Sequence, residues 1–114
     1  MSQQNEVEEV APGEASSMLE RGAFLLDVRE SDEWNAGHAP GAHHIPLGDL
    51  ESRHLEIPRD RTILCICRAG SRSGYAAAAL GVLGFATLNV RGGMQEWDAV
   101  SLPVVADDGP GQVI

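Results

Sequence analysis

The chain has 114 residues, 43% of them hydrophobic, which suits one domain around one packed core. Its net charge is −9, all its basic residues are arginine, and this balance argues against nucleic acid and anionic membranes as partners. No apolar run approaches a membrane span, the start is polar and acidic, and the two cysteines are too close in sequence for an easy disulfide, so a reducing cytoplasm is expected.

Residues 1–5 are polar and read as a flexible terminus. Val7 to Val10 suits a first strand. Pro12 fits the first turn of a helix that runs to about Arg21 and stops at Gly22. Phe24-Leu25-Leu26 is a short continuous apolar run, as expected for a strand buried on both faces. Ser31 is expected to cap a short helix that holds Trp34 and ends at Gly37. Ala42 to Ile45 is a weak strand. Leu47 to Leu55 reads as helical, with Leu47, Leu50 and Leu55 as anchors. Arg61 to Ile66 is the clearest strand. An alanine-rich helix follows from about Ser71 to Leu83, stopped by Gly84. Thr87 to Val90 is a further strand, and Gly93 to Val100 a last helix. The tail over 106–114 has loop composition and reads as a second flexible terminus.

Short apolar runs that alternate with helices predict an α/β fold. The central sheet should be mostly parallel, with about five strands and helices on both faces. In such sheets, sites form beyond the carboxyl ends of strands. Cys67 lies at one such end, directly after Ile63-Leu64-Cys65-Ile66, and Asp27 and Arg29 lie at another.

Cys67 opens the segment Cys67-Arg68-Ala69-Gly70-Ser71-Arg72-Ser73. A cysteine between a strand and a helix start sits under converging backbone N–H groups, which favour an anion such as its own thiolate. A free thiol has a pKa of about 8.5, and a helix N-terminus with nearby arginine lowers it. Gly70 supplies the backbone freedom that the turn needs. Arg68 and Arg72 add positive charge at the mouth. Spacing alone leaves two readings of Cys67 open, a reactive thiol or a buried strand cysteine. Cys65 reads as core filler. Asp27 and Arg29 read as ion-pairing braces or as solvated turn charges. Four histidines, His38, His43, His44 and His54, carry no recognisable zinc-ligand spacing, so no metal is expected. His38 is expected to anchor a loop by hydrogen bonding. Gly92-Gly93 reads as a tight turn rather than a phosphate loop, and Trp34 and Trp97 as packing residues.

Three blocks together resemble the single-domain rhodanese homology family of sulfurtransferases. The first is Leu26-Asp27-Val28-Arg29-Glu30, continuing through Glu33-Trp34, Gly37-His38, Pro40-Gly41-Ala42 and His44-Ile45-Pro46-Leu47. The second is the Cys67–Ser73 loop. The third is Asn89-Val90-Arg91-Gly92-Gly93-Met94 with Trp97. The resemblance spans about residues 6–103 and implies a rhodanese-like domain there. It implies that Cys67 is the nucleophile, attacking the outer sulfur of a donor such as thiosulfate and holding it as a persulfide. A thiophilic acceptor, cyanide or a cellular thiol, then removes the sulfur. It further implies that Arg68, Ala69, Gly70, Ser71 and Arg72 form the anion cradle, and that Asp27 and Arg29 support the loop. No metal or organic cofactor is implied. The expected partners are a small anionic donor and a thiol acceptor, including a protein thiol, with no nucleic acid and no membrane.

Phosphatases on this fold place arginine after five intervening residues. Here that position is Ser73, and Arg72 comes one residue early. The ring is thus expected to fit a sulfur atom rather than a phosphate. The large two-domain thiosulfate enzymes carry a second cationic residue where this chain has Ala69, so the resemblance leaves the donor open. The alternative function is a non-catalytic or regulatory module of the same family that binds a partner protein. An intact Cys67 in a complete loop favours the enzyme.

Overall fold

The computed structural model describes residues 7–114, so the expectation for residues 1–5 lies outside the described residues. The central sheet holds β1 (Glu9–Val10), β2 (Phe24–Asp27), β3 (His43–His44), β4 (Ile63–Ile66) and β5 (Thr87–Val90). Their order across the sheet is β1-β5-β4-β2-β3, and every pairing is parallel. This is the α/β architecture expected from the alternating pattern. The helices are α1 (Pro12–Glu20), α2 (Ser31–Ala36), α3 (Leu50–Arg53), α4 (Ser71–Val82) and α5 (Gly93–Ala99). Among the described residues, no helix is long and apolar enough to cross a membrane.

Strand side chains alternate between faces, and this splits the core in two. Leu26, Ile63 and Cys65 join Ala76, Ala77 and Leu80 of α4 in one cluster. Leu25, Leu64, Ile66 and Val90 join Ala15 of α1 and Met94 and Trp97 of α5 in the other. The sheet is thereby covered on both faces, as a parallel sheet requires. All four residues of β4 are buried, and β4 is the middle strand. Its end is therefore held between paired strands on both sides. Alanine at 76 and 77 keeps α4 close against that strand.

Local details differ from the sequence reading. Glu30, not Ser31, occupies the cap position of α2, and its N–H donates to the Glu33 carboxylate at 3.0 Å. The segment Leu47 to Leu55 is broken. α3 lies between two 3-10 turns, Leu47–Asp49 and His54–Glu56. Leu50 is buried, but Leu55 is 86% exposed and anchors nothing.

The tail expected to be flexible from Ala106 is folded. β6 (Val105–Ala106) pairs antiparallel with β7 (Gly109–Pro110). His38 and Val105 exchange backbone hydrogen bonds at 2.9 and 2.8 Å, and the Gln112 N–H donates to the Ala36 carbonyl at 2.9 Å. Leu102, Val104 and Val113 pack against the second core cluster. Composition missed this because the tail's partners lie far away in sequence. Gly37 makes the contact close: a Cβ there would lie 2.5 Å from the Gln112 nitrogen. Gly37→Ala should therefore release the tail at a cost of about 1–3 kcal/mol. Limited proteolysis should cut rapidly beyond Val104 in the variant and slowly in the parent, while the core melts in one transition.

Candidate active site

The chain leaves β4 at Ile66, and Cys67 follows with 1% of its surface exposed. Gly70 adopts φ +111°, a left-handed conformation that side chains disfavour, and so caps α4. That turn bends the loop back over its own cysteine. The Gly70 N–H donates to Cys67 Sγ at 3.1 Å, and the Ser73 hydroxyl lies 3.2 Å from the same sulfur. Burial alone pushes the Cys67 thiol up. Hydrogen bonds from the Ser73 hydroxyl and from the amides of Ser73, Gly70 and Ala69 outweigh it and hold the thiol below its ordinary value. Cys65, fully buried two residues earlier, has no such cradle, and burial pushes it up to about 12. Two cysteines two residues apart, one within β4 and one just beyond it, are thus shifted in opposite directions.

Two polar residues behind the loop complete its frame. Ser73 is fully buried and also lies 2.6 Å from Asn89 Oδ1. Asn89 Nδ2 donates to the Gly70 carbonyl at 3.0 Å and to the Glu9 carboxylate at 3.1 Å. On the other side, the start of α5 clamps the loop. The Met94 N–H donates to the Cys67 carbonyl at 2.8 Å and the Gln95 N–H to the Arg68 carbonyl at 2.9 Å. These bonds fix the loop's carbonyls. A Cβ on Gly93 would lie 2.4 Å from the Cys67 carbonyl oxygen, and Gly93 has φ +59°. Glycine is required there for close approach, not merely for a turn.

Arg72 and Glu33 form a two-pronged ion pair, with Nη1 to Oε1 at 2.8 Å and Nη2 to Oε2 at 2.9 Å. Both prongs of Arg72 are therefore engaged with α2, although its charge still interacts with Cys67. The Arg72 hydrogen bond holds the Glu33 carboxyl down at about 2 against an ordinary 4.5. Arg68 is exposed, and its Nε donates to the Ile114 carbonyl at 2.8 Å. Ala69 and Ser71 complete the turn and the first residue of α4.

Asp27 and Arg29 are fully buried. Arg29 Nη2 donates to Asp27 Oδ2 at 2.9 Å and to the Gly37 carbonyl at 2.7 Å. The pair thus braces both ends of α2, which carries Glu33, and its link to the Cys67 loop runs through that helix. His44 Nε2 donates to the Arg29 carbonyl at 2.7 Å, and His38 Nδ1 to the Trp34 carbonyl at 2.9 Å. Trp34 stacks on both imidazoles. These contacts make the two histidines anchors of the neighbouring loop. Among the described residues, no cluster of three or more His, Cys, Asp or Glu could hold a metal.

Sequence reasoning placed Cys67 and its loop and read Gly93 as part of a tight turn, but assigned no individual role to Ser73, Asn89 or Glu33. The available signal was a polar Asn89 inside a buried strand, in register with Cys65. A buried polar side chain needs partners, and here they are loop atoms.

Two variants test this frame. Glu33 titrates lower in the folded chain than its ordinary 4.5, so the ion pair stabilises fully above that pH. Its contribution disappears as pH falls toward 2. Glu33→Gln should cost about 1 kcal/mol at neutral pH. Melting curves of variant and parent should converge as the acid end is approached. Gly93→Ala should cost about 2 kcal/mol or more, because backbone oxygens cannot yield as side chains do. Its Cys67 should also alkylate more slowly with iodoacetamide at pH 7, since the displaced loop loses its cradle.

Comparison with known proteins agrees with this construction. The profile of the rhodanese-like domain matches residues 11–100. A sulfurtransferase from Allochromatium vinosum is 40% identical over 87 residues, covering 75% of this chain and 81% of that protein. The thiosulfate sulfurtransferase GlpE of Pseudomonas savastanoi is 30% identical over 95 residues, covering 82% of this chain and 90% of that protein. The crystal structure of a rhodanese-related protein from Thermoplasma volcanium superposes with a TM-score of 0.83 at 29% identity, covering 88% of this chain and 99% of that one. With a cysteine cradled at the end of β4 and the matching segments on either side, this chain belongs to the rhodanese-like sulfurtransferase family.

Proposed function

We propose that the protein moves a sulfane sulfur from a small anionic donor such as thiosulfate to a thiophilic acceptor through a persulfide on Cys67. The observation that carries this reading is the cradle at Sγ. It combines a Gly70 amide at 3.1 Å, a Ser73 hydroxyl at 3.2 Å and a thiol held below its ordinary value. A thiolate is the nucleophile in sulfur exchange, and the same donors can stabilise it as a leaving group.

The steps balance as follows. The Cys67 thiolate attacks the outer sulfur of thiosulfate, a new S–S bond forms, and sulfite leaves with the electron pair of the old one. Cys67 then carries a persulfide anion. Cyanide attacks the outer sulfur, thiocyanate departs, and the pair of the broken S–S bond returns to Sγ. A thiolate acceptor, small or on a protein, reacts in the same way with the protonated persulfide.

The main-chain amides near Gly70 form the inner part of the anion cradle. Arg68 and Arg72 act at its rim, Arg72 through a charge that Glu33 partly offsets. Asp27 and Arg29 act as loop supports through α2. Two free, buried cysteines support a reducing compartment such as the cytoplasm as the setting of the reaction. One relative named for thiosulfate, at 30% identity, supports that donor class.

Intact mass after brief incubation with thiosulfate, followed by peptide mapping, tests the reading. The expected result is a gain of one sulfur atom on Cys67 that cyanide removes. Cys67→Ser should abolish the gain and leave the melting temperature nearly unchanged. If thiosulfate, mercaptopyruvate and glutathione persulfide all leave Cys67 unmodified, the binding-module reading replaces this one.

A further inference from the structure

The Ser73 hydroxyl faces two acceptors with one hydrogen. Cys67 Sγ lies 3.2 Å away on one side and Asn89 Oδ1 lies 2.6 Å away on the other. Ser73 is fully buried and Asn89 is 3% exposed, so the Ser73 hydroxyl itself is shielded from bulk water. Asn89 cannot turn its amide away. Its Nδ2 is tied to the Gly70 carbonyl at 3.0 Å and to the Glu9 carboxylate at 3.1 Å, which orients Oδ1 toward Ser73. A carboxamide nitrogen donates only, so Glu9 and the Gly70 carbonyl together determine which end of the amide Ser73 meets.

The geometry points to Asn89 as a positioning residue that switches the Ser73 hydroxyl with the charge state of Cys67. It rests on the sulfur-transfer reading for its purpose, though not for its physics. While Cys67 is a thiol, the Ser73 O–H donates to Asn89 Oδ1, and a Ser73 lone pair is free for the Cys67 S–H. When Cys67 is a thiolate, the hydroxyl rotates and donates to Sγ. No proton is transferred in that rotation; the Cys67 proton leaves to solvent or to the acceptor. During discharge of the persulfide, the S–S bond breaks and its electron pair returns to Sγ. The rotating hydroxyl meets that charge as it appears.

The other charged or titratable groups facing this network are few. Cys65 on β4 is neutral, Arg72 on α4 is paired with Glu33, and Glu9 on β1 faces the far side of Asn89. The start of α5 presents the Met94 and Gln95 amides to the carbonyls of Cys67 and Arg68. A surface cleft lined by Glu9, Gly70, Tyr75 and Asn89 brings solvent to the Asn89 end. Because Asn89 Oδ1 competes with Sγ for one hydrogen, it disfavours the thiolate. Ser73 favours the thiolate, and the two effects pass through the same atom.

The test is a double-mutant cycle read by the pH profile of Cys67 alkylation with iodoacetamide. Ser73→Ala should raise the midpoint. Asn89→Ala should lower it by about half a unit, roughly threefold more thiolate on the acid side. In the Ser73→Ala background, Asn89→Ala should leave the midpoint unmoved. If Asn89 acts only by holding Gly70, its effect persists without Ser73, and that result overturns the switch. If Asn89→Ala fails to fold, the parent protein decides the matter. Its Asn89 carboxamide NMR resonances should titrate with the Cys67 midpoint, and Ser73→Ala should remove that titration. A carboxamide that does not respond as Cys67 ionises also overturns the switch. Mass analysis after thiosulfate treatment runs in parallel. A coupled titration without persulfide would refute sulfur transfer while supporting the switch; persulfide without coupling would do the reverse.

Discussion

Everything at the site depends on a sulfur buried at the end of β4 and surrounded by donors. Burial excludes water and raises the cost of a charge there. The Gly70 amide, the Ser73 hydroxyl and the start of α4 reverse that cost, and the thiol is held low instead of high. Cys65 is the internal control. It lies two residues earlier, within β4, in the same buried cluster as Cys67, lacks the cradle, and is pushed in the opposite direction. The difference between a thiol pushed up and a thiol held low is thus two residues of chain and one left-handed glycine.

A loop that points its amides inward must send its carbonyls outward, and those carbonyls need partners. Three residues of β5 and α5 supply them. The amides of Met94 and Gln95 take the carbonyls of Cys67 and Arg68, and Asn89 takes that of Gly70. The third block of the sequence, from Asn89 to Met94, is therefore the outer half of the Cys67 loop. Gly93 is explained by the approach of two backbones, and Gly92 by a left-handed turn beside the Glu96 side chain.

Charge is arranged in the same layered way. Asp27 and Arg29 form a buried pair that fixes the ends of α2, α2 presents Glu33, and Glu33 grips Arg72 at the edge of the loop. A buried pair of this kind is weak evidence for stability in itself. Its value here is geometric, because it ties α2 to the end of β2, which itself pairs directly with the end of β4. The pairing also engages both prongs of Arg72, while the Gly70 amide and the Ser73 hydroxyl reach Sγ itself.

The period of the apolar residues determined the strands, the helices, the parallel sheet and the position of Cys67 at a strand end. These follow from rules that act within a few residues, namely alternation, caps, glycine stops and buried runs. The reactive loop was legible for the same reason, since a turn of seven residues is a local object. What tertiary structure alone decided joins residues far apart in the chain: Glu33 to Arg72, Asn89 to Ser73, Gly93 to Cys67, and the tail to Gly37 and His38. No spacing rule encodes such pairs, because each exists only once the sheet has set β5 beside β4 and α2 across from α4. Even the meaning of Asn89 changed with that step. In the sequence it is one polar residue in a strand, and in the fold it must satisfy a buried amide, which only the atoms of the Cys67 loop and Glu9 are placed to do.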